Sequence, residues 1–130
     1  MDPVPSRRDH ESVRAIGAFS QILLCRLPVD GRKQINTLAA LVEAELGQSP
    51  FDGSLFVFIT RRRDTIKFLY YDRTGFAMWV KRLEKDVFYW FKSQNAGTAP
   101  VTASQIEMLL CGYDIFSAKP HEEVRFRRTI

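Results

Sequence analysis

The sequence is poor in the residue types that bind metals and carry out nucleophilic catalysis. Its 130 residues include two cysteines and two histidines, and both histidines, His10 and His121, lie near the ends of the chain. No CxxC or HExxH spacing is present, so the ligands of a zinc site are missing. A Ser or Cys nucleophile would need a histidine base, and neither histidine falls in a segment predicted to be structured. We therefore expect no catalytic site, no metal and no cofactor.

Long apolar runs, glycine-rich loops and paired cysteines are also missing. No apolar run approaches the roughly 20 residues that cross a bilayer, and the N-terminal residues lack the apolar stretch of a signal peptide. No loop has the glycine spacing that cradles nucleotide phosphates. Cys25 and Cys111 stand far apart in apolar surroundings, which favours two buried, reduced thiols. These observations predict a cytoplasmic protein without a membrane segment.

Residues 54–91 are rich in aromatic and basic side chains. The runs LFVFI, TIKFLYY, FAMWVKRL and VFYWF follow one another, separated by short groups of turn residues. Such runs are typical of consecutive antiparallel strands. Nine bases oppose four acids between Arg61 and Lys92, whereas the whole chain has a net charge of +4. Each of these acids lies at a turn beside Lys or Arg, which favours local ion pairing over Mg²⁺ binding. The segment predicts a basic β-meander.

The segment before the meander contains one amphipathic helix. Apolar residues recur at three- and four-residue spacing from Arg32 to Leu46, which places them on one face. Asp30 precedes this helix as an expected N-cap, and Gly47 is an expected stop.

A buried strand and a second helix complete the predicted fold. Residues 21–27 (QILLCRL) fit a strand by length and content, and Thr102 and Gln105 have the spacing of a capping box at the start of a helix that Gly112 ends. We predict the α+β class, with an antiparallel meander sheet of about five strands and two helices packed on one face. The expected organisation is a flexible N-terminal arm (1–20), one domain (21–115) and a C-terminal extension (116–130).

The arginines that follow LFVFI are the strongest candidate site. Arginine pairs with phosphate oxygens, often in bidentate geometry, so a basic hairpin tip can bind a nucleic-acid backbone. A solvated tip with no ligand is the alternative. The predicted nucleic-acid-binding residues are Arg61, Arg62, Arg63, Lys67, Lys81, Arg82, Arg32 and Lys33. We expect Asp64 to orient an arginine rather than to perform chemistry.

Three aromatic residues of the meander are predicted to point outward. Tyr71, Trp79 and Tyr89 alternate with neighbours expected to face the core. Outward aromatic rings can stack on bases or form a protein-interaction face. The pattern leaves both alternatives open.

Five stretches form an ordered set over about residues 19–115: Pro28–Lys33 with the following LAALV, Pro50–Phe58, Arg61–Asp72, Gly75–Phe88 and Leu109–Asp114. In content and order they resemble the motifs of one known family, the small accessory protein TnpB, the second reading frame product of insertion-sequence-sixty-six transposons. The departures are Gly31 for an apolar residue, Arg63 for a common glycine, Tyr70-Tyr71 for a Trp-bearing pair and Asp86 for a turn glycine.

The resemblance implies a bacterial mobile-element protein that assists a separate large transposase, in which the catalytic carboxylates are expected. We therefore expect a non-catalytic accessory protein for DNA transposition. Its expected partners are DNA, the large transposase of the same element, or both, and a homo-oligomer is left open. The alternative is a protein-interaction module with no direct DNA contact.

Overall fold

A computed structural model describes residues 15–93 and 95–117, and the architecture below refers to these residues. It has a five-stranded mixed sheet and two helices, which confirms the α+β class. A single 3₁₀ turn (Ala15–Ala18) comes first, and the elements that follow are β1 (Ile22–Cys25), α1 (Ile35–Ala44), β2 (Leu55–Ile59), β3 (Thr65–Asp72), β4 (Gly75–Arg82), β5 (Thr98–Val101) and α2 (Ala103–Leu110).

The strand order across the sheet is β4-β3-β2-β1-β5. The predicted antiparallel pairing holds for β2 with β3 and for β3 with β4. It is wrong for β1 and β2, which run parallel with Ile22 opposite Leu55. A parallel pair needs a crossover connection, and α1 lies in that connection.

The predicted fifth strand, VFYWF, is not a strand. Residues 87–91 belong to no strand of the sheet, although Phe88 and Trp90 are buried while Val87 and Tyr89 are exposed. The alternating apolar pattern therefore reflects alternating burial rather than pairing in a ladder. The fifth strand is β5, which pairs antiparallel with β1 at the opposite edge of the sheet from β4.

The two helices pack on opposite faces of the sheet, so the prediction that they share one face is wrong. Leu38 and Val42 of α1 pack in one core with Phe56 of β2. Ile106 and Leu109 of α2 pack in the other core, which also contains Leu55 and Val57. Because strand side chains alternate between faces, β2 contributes to both cores and is buried throughout.

The two helices begin in different ways. The N-cap of α1 is Gln34, without a side-chain cap, rather than the predicted Asp30. The predicted capping box of α2 is confirmed, because the Gln105 N–H donates to Thr102 Oγ1 at 3.1 Å and the Thr102 N–H donates to Gln105 Oε1 at 2.9 Å. Gly112 follows α2 with φ at 97°, which is the left-handed conformation expected of a glycine stop.

The cysteines and the ends of the domain complete the description. Cys25 is buried, and burial raises the pKa of its thiol, whereas Cys111 is exposed, contrary to the prediction.

Ile16 is buried against the α2-side core. The expected arm and extension lie outside the described residues over 1–14 and 118–130. Within the described part of the chain, no helix has the length and apolarity to cross a membrane.

Candidate nucleic-acid interface

The hairpin tip between β2 and β3 exposes two of the predicted arginines. The Arg63 N–H donates to the Thr60 carbonyl at 2.8 Å, which closes a turn with Arg61 and Arg62 at its centre. Arg63 follows with φ at 64°. A turn followed by a left-handed residue is a common hairpin connection, and glycine usually takes the left-handed position. The side chains of Arg61 and Arg62 consequently project into solvent.

Asp64 lies at the base of this tip and accepts two hydroxyl hydrogen bonds. Thr65 Oγ1 donates at 3.0 Å and Thr60 Oγ1 at 3.3 Å, and Arg82 Nε is 3.9 Å from the same carboxylate. The Thr65 hydrogen bond is the largest of the effects that hold the pKa of Asp64 below its usual range. The carboxylate is therefore ionised at neutral pH and positioned beside the guanidinium of Arg82.

A second loop, residues 28–33, lies alongside the hairpin tip. Val29 forms a parallel bridge with Thr60, its N–H donates to the Ile59 carbonyl at 2.8 Å, and its carbonyl accepts the Arg61 N–H at 3.0 Å. These backbone contacts extend the β1–β2 pairing beyond the ends of the strands. They bring Asp30 and Arg32 next to the tip.

Asp30 organises the arginines where the two loops meet. Its carboxylate accepts the Arg32 N–H at 2.9 Å and binds the Arg32 guanidinium through Nε at 3.1 Å and Nη2 at 2.7 Å. The Arg61 guanidinium lies 3.9 Å away. Chiefly because of the Arg32 side chain, the pKa of Asp30 is well below its usual range. Arg32 keeps three further N–H donors for another ligand.

Lys67 supports the second loop from beneath. The residue is only 5% exposed, and its ammonium donates to the carbonyls of Gly31 at 2.8 Å and Lys33 at 2.7 Å. Burial lowers the pKa of Lys67. Lys67, which is predicted to contact phosphate, therefore points into the protein, where it holds the loop that carries Arg32.

We name the site formed by these two loops the arginine recess. It is a depression of about 340 Å³ lined by Arg61, Arg62, Arg82, Asp30, Asp64, Gly31, Thr60 and Thr65. With the adjoining Arg32, four guanidinium groups face two carboxylates. The side chains of Arg32, Arg61 and Arg82 are 91%, 71% and 74% exposed, so their remaining donors are open to solvent. A phosphate group matches this donor set.

The remaining predicted residues lie apart from the recess. Lys81 precedes Arg82 on β4 and therefore points to the opposite face, where its ammonium donates to the Leu110 carbonyl at 3.2 Å. Lys33 lies on the second loop but lines a different groove, beside α1. Arg63 is half-buried at the turn. The predicted nucleic-acid-binding residues are thus divided between the two faces of the sheet.

Asp30 is the residue of the recess whose contacts differ most from the sequence-based prediction. The sequence predicts a cap for α1, but Asp30 binds Arg32 and lies near Arg61. The spacing Asp30-Gly31-Arg32 carries a signal for this contact, because an aspartate followed by a turn residue often accepts the N–H two positions on. The proximity of Asp30 to the hairpin tip is a tertiary contact with no local signal.

Of the three aromatic residues predicted to point outward, Tyr89 is the most exposed, at 51%. Trp79 is half-buried, and the centroid of its ring lies 4.8 Å from that of Phe68. Tyr71 is also half-buried and belongs to a cluster of rings with Phe51 and Phe76. Tyr89 is therefore the best placed of the three to meet a ligand or partner.

Acidic, histidine and cysteine side chains form no metal site in the described ranges. No group of three or more such residues lies close enough together to hold a metal ion. Asp30 and Asp64 both line the recess, but each is occupied by arginine or hydroxyl partners.

Comparison with known proteins gives one family and two relatives. The model of the family described as IS66 Orf2-like protein matches residues 20–120. The uncharacterized protein y4jC of Sinorhizobium fredii (strain NBRC 101917 / NGR234) is 32% identical over 94 residues, which cover 72% of this chain and 80% of that protein. The uncharacterized protein y4hO of the same strain is 34% identical over 85 residues, covering 65% and 73%. No solved structure matches the chain.

Proposed function

This chain belongs to the IS66 Orf2-like family, and on that premise we propose that it is a non-catalytic, cytoplasmic accessory protein of transposition that holds DNA through the arginine recess. The observation that carries the proposal is the convergence of Arg32, Arg61, Arg62 and Arg82 from two loops and one strand end around a single depression. Phosphate contacts of this kind fix a protein on DNA without reading its sequence.

The two carboxylates support phosphate binding by positioning the arginines. A free arginine side chain loses rotamer freedom when it binds a ligand, which costs about 0.5–1.5 kcal/mol per immobilised side chain. Arg32 is already held by two hydrogen bonds to Asp30, so less freedom remains to be lost. Its other donors stay available. The recess therefore resembles a preorganised clamp more than a set of independent surface charges.

A charge-reversal experiment tests the proposal. The variant R61E/R62E is compared with R73E/K92E, which changes the net charge by the same amount at two exposed residues outside the recess. Binding of both variants to a labelled DNA duplex is measured by fluorescence anisotropy. We expect R61E/R62E to bind the duplex much more weakly than the wild type, with binding still measurable at low salt, and R73E/K92E to retain most of the affinity. An equal loss of DNA affinity in the two variants would mean that binding depends only on net charge, and it would reject the recess as the DNA-binding site.

Docking to a protein partner without DNA contact is the second candidate function. Val87 and Tyr89 are 57% and 51% exposed, and the Phe88 N–H between them donates to the Arg63 carbonyl at 2.7 Å. An apolar strip thus borders the hairpin tip and fits a protein surface such as the large transposase. If this function is correct, the R61E/R62E variant should still bind the transposase in a pull-down, whereas the V87D/Y89S variant should not. The DNA-binding proposal does not require either result.

A further inference from the structure

The outer edge of β4 is long and unpaired among the described residues. β4 forms one border of the sheet and pairs with β3 at every residue from Gly75 to Arg82, without a bulge. In the described part of the chain, no other element makes a backbone hydrogen bond to these eight residues. In an antiparallel pair, alternate residues direct their N–H and C=O groups away from the partner strand. β4 therefore presents a regular row of donors and acceptors.

The hairpin fixes which residues form that row. Asp72 pairs with Gly75 across the two-residue turn Arg73–Thr74, and the pair that closes such a turn is hydrogen-bonded. The backbone groups of Phe76, Met78 and Val80 then point away from β3, because these residues occupy the intervening pairs. The row is three residues long before the charged end of the strand begins.

The features that normally protect an edge strand are missing from most of β4. Gly75 to Val80 contains neither a charged residue nor a proline, and Val80 is 46% exposed. Natural sheets discourage pairing between edges with charges, prolines, bulges or short strands. The other edge of this sheet follows that rule, because β5 has four residues and includes Pro100. The contrast singles out β4 as the edge that accepts another strand.

We propose that β4 pairs antiparallel with β4 of a second copy of this chain and so joins the two sheets into one. Charge placement argues for this partner and this direction. Lys81 and Arg82 both lie at one end of the strand, so antiparallel pairing separates them from their counterparts, whereas parallel pairing would set like charges side by side. With Met78 on the two-fold axis, Phe76 lies opposite Val80 of the second copy, and Lys81 lies opposite Gly75.

This pairing has a consequence for the arginine recess that rests on the proposed function, although the dimer itself does not. Arg82 is four residues beyond Met78, so the two Arg82 residues are about 27 Å apart along the strands at ~3.4 Å per residue. A two-fold axis perpendicular to the sheet keeps both recesses on the α1 side. One turn of duplex DNA is roughly 34 Å long. The dimer would therefore offer two phosphate clamps at a spacing comparable to one helical turn.

Sedimentation velocity of the full chain, without DNA, tests the dimer directly. We expect a dimer at tens of micromolar, and V80K should weaken dimerisation at least about tenfold, which corresponds to ~1.4 kcal/mol. L27K is the matched control, because Leu27 is an exposed apolar residue outside the strands, and it should leave the dimer intact. A wild-type protein that stays monomeric, or a V80K variant that dimerises as well as the wild type, overturns the proposal.

Disulfide trapping tests the register and does not depend on DNA either. In a C111S background, M78C places two thiols at the two-fold axis, where facing Cα atoms of a hydrogen-bonded pair lie about 5.5 Å apart, within disulfide range. S104C, on the exposed surface of α2, is the control. We expect a covalent dimer from M78C alone. Absence of that cross-link while the protein dimerises would place the interface elsewhere and reject the proposal.

Discussion

Replacement of Lys67 by methionine tests the structural basis of the recess. The Lys67 ammonium is buried under the second loop and donates to the carbonyls of Gly31 and Lys33. Methionine keeps most of the apolar stem but removes both hydrogen bonds. The loop that carries Asp30 and Arg32 should then lose its hydrogen bonds to β3, while the backbone hydrogen bonds of Val29 to Ile59 and Arg61 remain.

The expected cost is about 2 kcal/mol of unfolding free energy. Each hydrogen bond from a charged donor contributes roughly 1.5–3 kcal/mol, so the gross loss is about 3–6 kcal/mol. Two effects offset part of this loss. Methionine does not require an ammonium to be taken out of water, and the Gly31 carbonyl lies on an exposed residue that water can reach. At ~3–5 °C per kcal/mol for a domain of this size, the melting temperature should fall by about 6–10 °C.

Urea unfolding followed by tryptophan fluorescence measures this free energy, and K81M is the matched control. Lys81 is half-buried and makes one hydrogen bond of 3.2 Å, to the Leu110 carbonyl. Its replacement should cost less than about 1 kcal/mol. The two lysines occupy neighbouring strands of the sheet, so the comparison isolates burial and the second hydrogen bond.

The pH dependence gives an independent check with a defined sign. Burial lowers the pKa of Lys67 in the folded state below the unfolded value of 10.5. Between those two pKa values the unfolded chain binds a proton that the folded chain has released, so the contribution of Lys67 to stability rises with pH. The free-energy difference between wild type and K67M should therefore grow as pH rises toward 10.5. A difference below about 0.5 kcal/mol, or one that shrinks with rising pH, would refute the reasoning.

Three further predictions follow from single residues. R63G should raise the unfolding free energy by about 0.5–1 kcal/mol in thermal denaturation, because Arg63 adopts a left-handed conformation that glycine adopts without strain. T102A should lower it by about 1 kcal/mol, because the capping box of α2 is lost, whereas T37A, at an exposed threonine within α1, should not lower it. D64N should reduce the loss of stability between neutral pH and pH 3, because the folded-state pKa of Asp64 is lowered and its contribution to stability disappears as pH falls. If D64N and the wild type lose the same unfolding free energy over this pH range, the assignment is contradicted.

The fold class was predictable because the spacing of apolar residues along the chain reflects which side chains are buried. The same property explains the wrong fifth strand, since Phe88 and Trp90 alternate with exposed neighbours without a ladder partner. The parallel pairing of β1 and β2 was indicated by the sequences ILLC and LFVFI, which are two continuous apolar runs separated by a helix. Strands that are apolar at every position are covered on both faces and are typical of parallel pairing. That signal also indicates helices on opposite faces.

The arginine recess was predictable only in part. Arg61 and Arg62 follow from the hairpin pattern, because turn residues at a tip face solvent. Lys67 and Lys81 could not be placed from charge alone, since one is buried beneath a loop and the other faces α2. The contact of Asp30 with the hairpin depends on the parallel β1–β2 pairing, which brings residues 28–33 beside the tip. The site therefore depends on topology more than on motif.

The salt dependence of DNA binding tests the central claim most directly. Anisotropy of a labelled duplex is measured with the wild-type protein across a series of salt concentrations. Each phosphate contact lowers the slope of log affinity against log salt by about 0.9, so four arginines predict a slope of roughly −3 or steeper. R61E/R62E should flatten that slope, whereas R73E/K92E should preserve it. No binding at low salt, or a slope that is the same in both variants, would contradict the account.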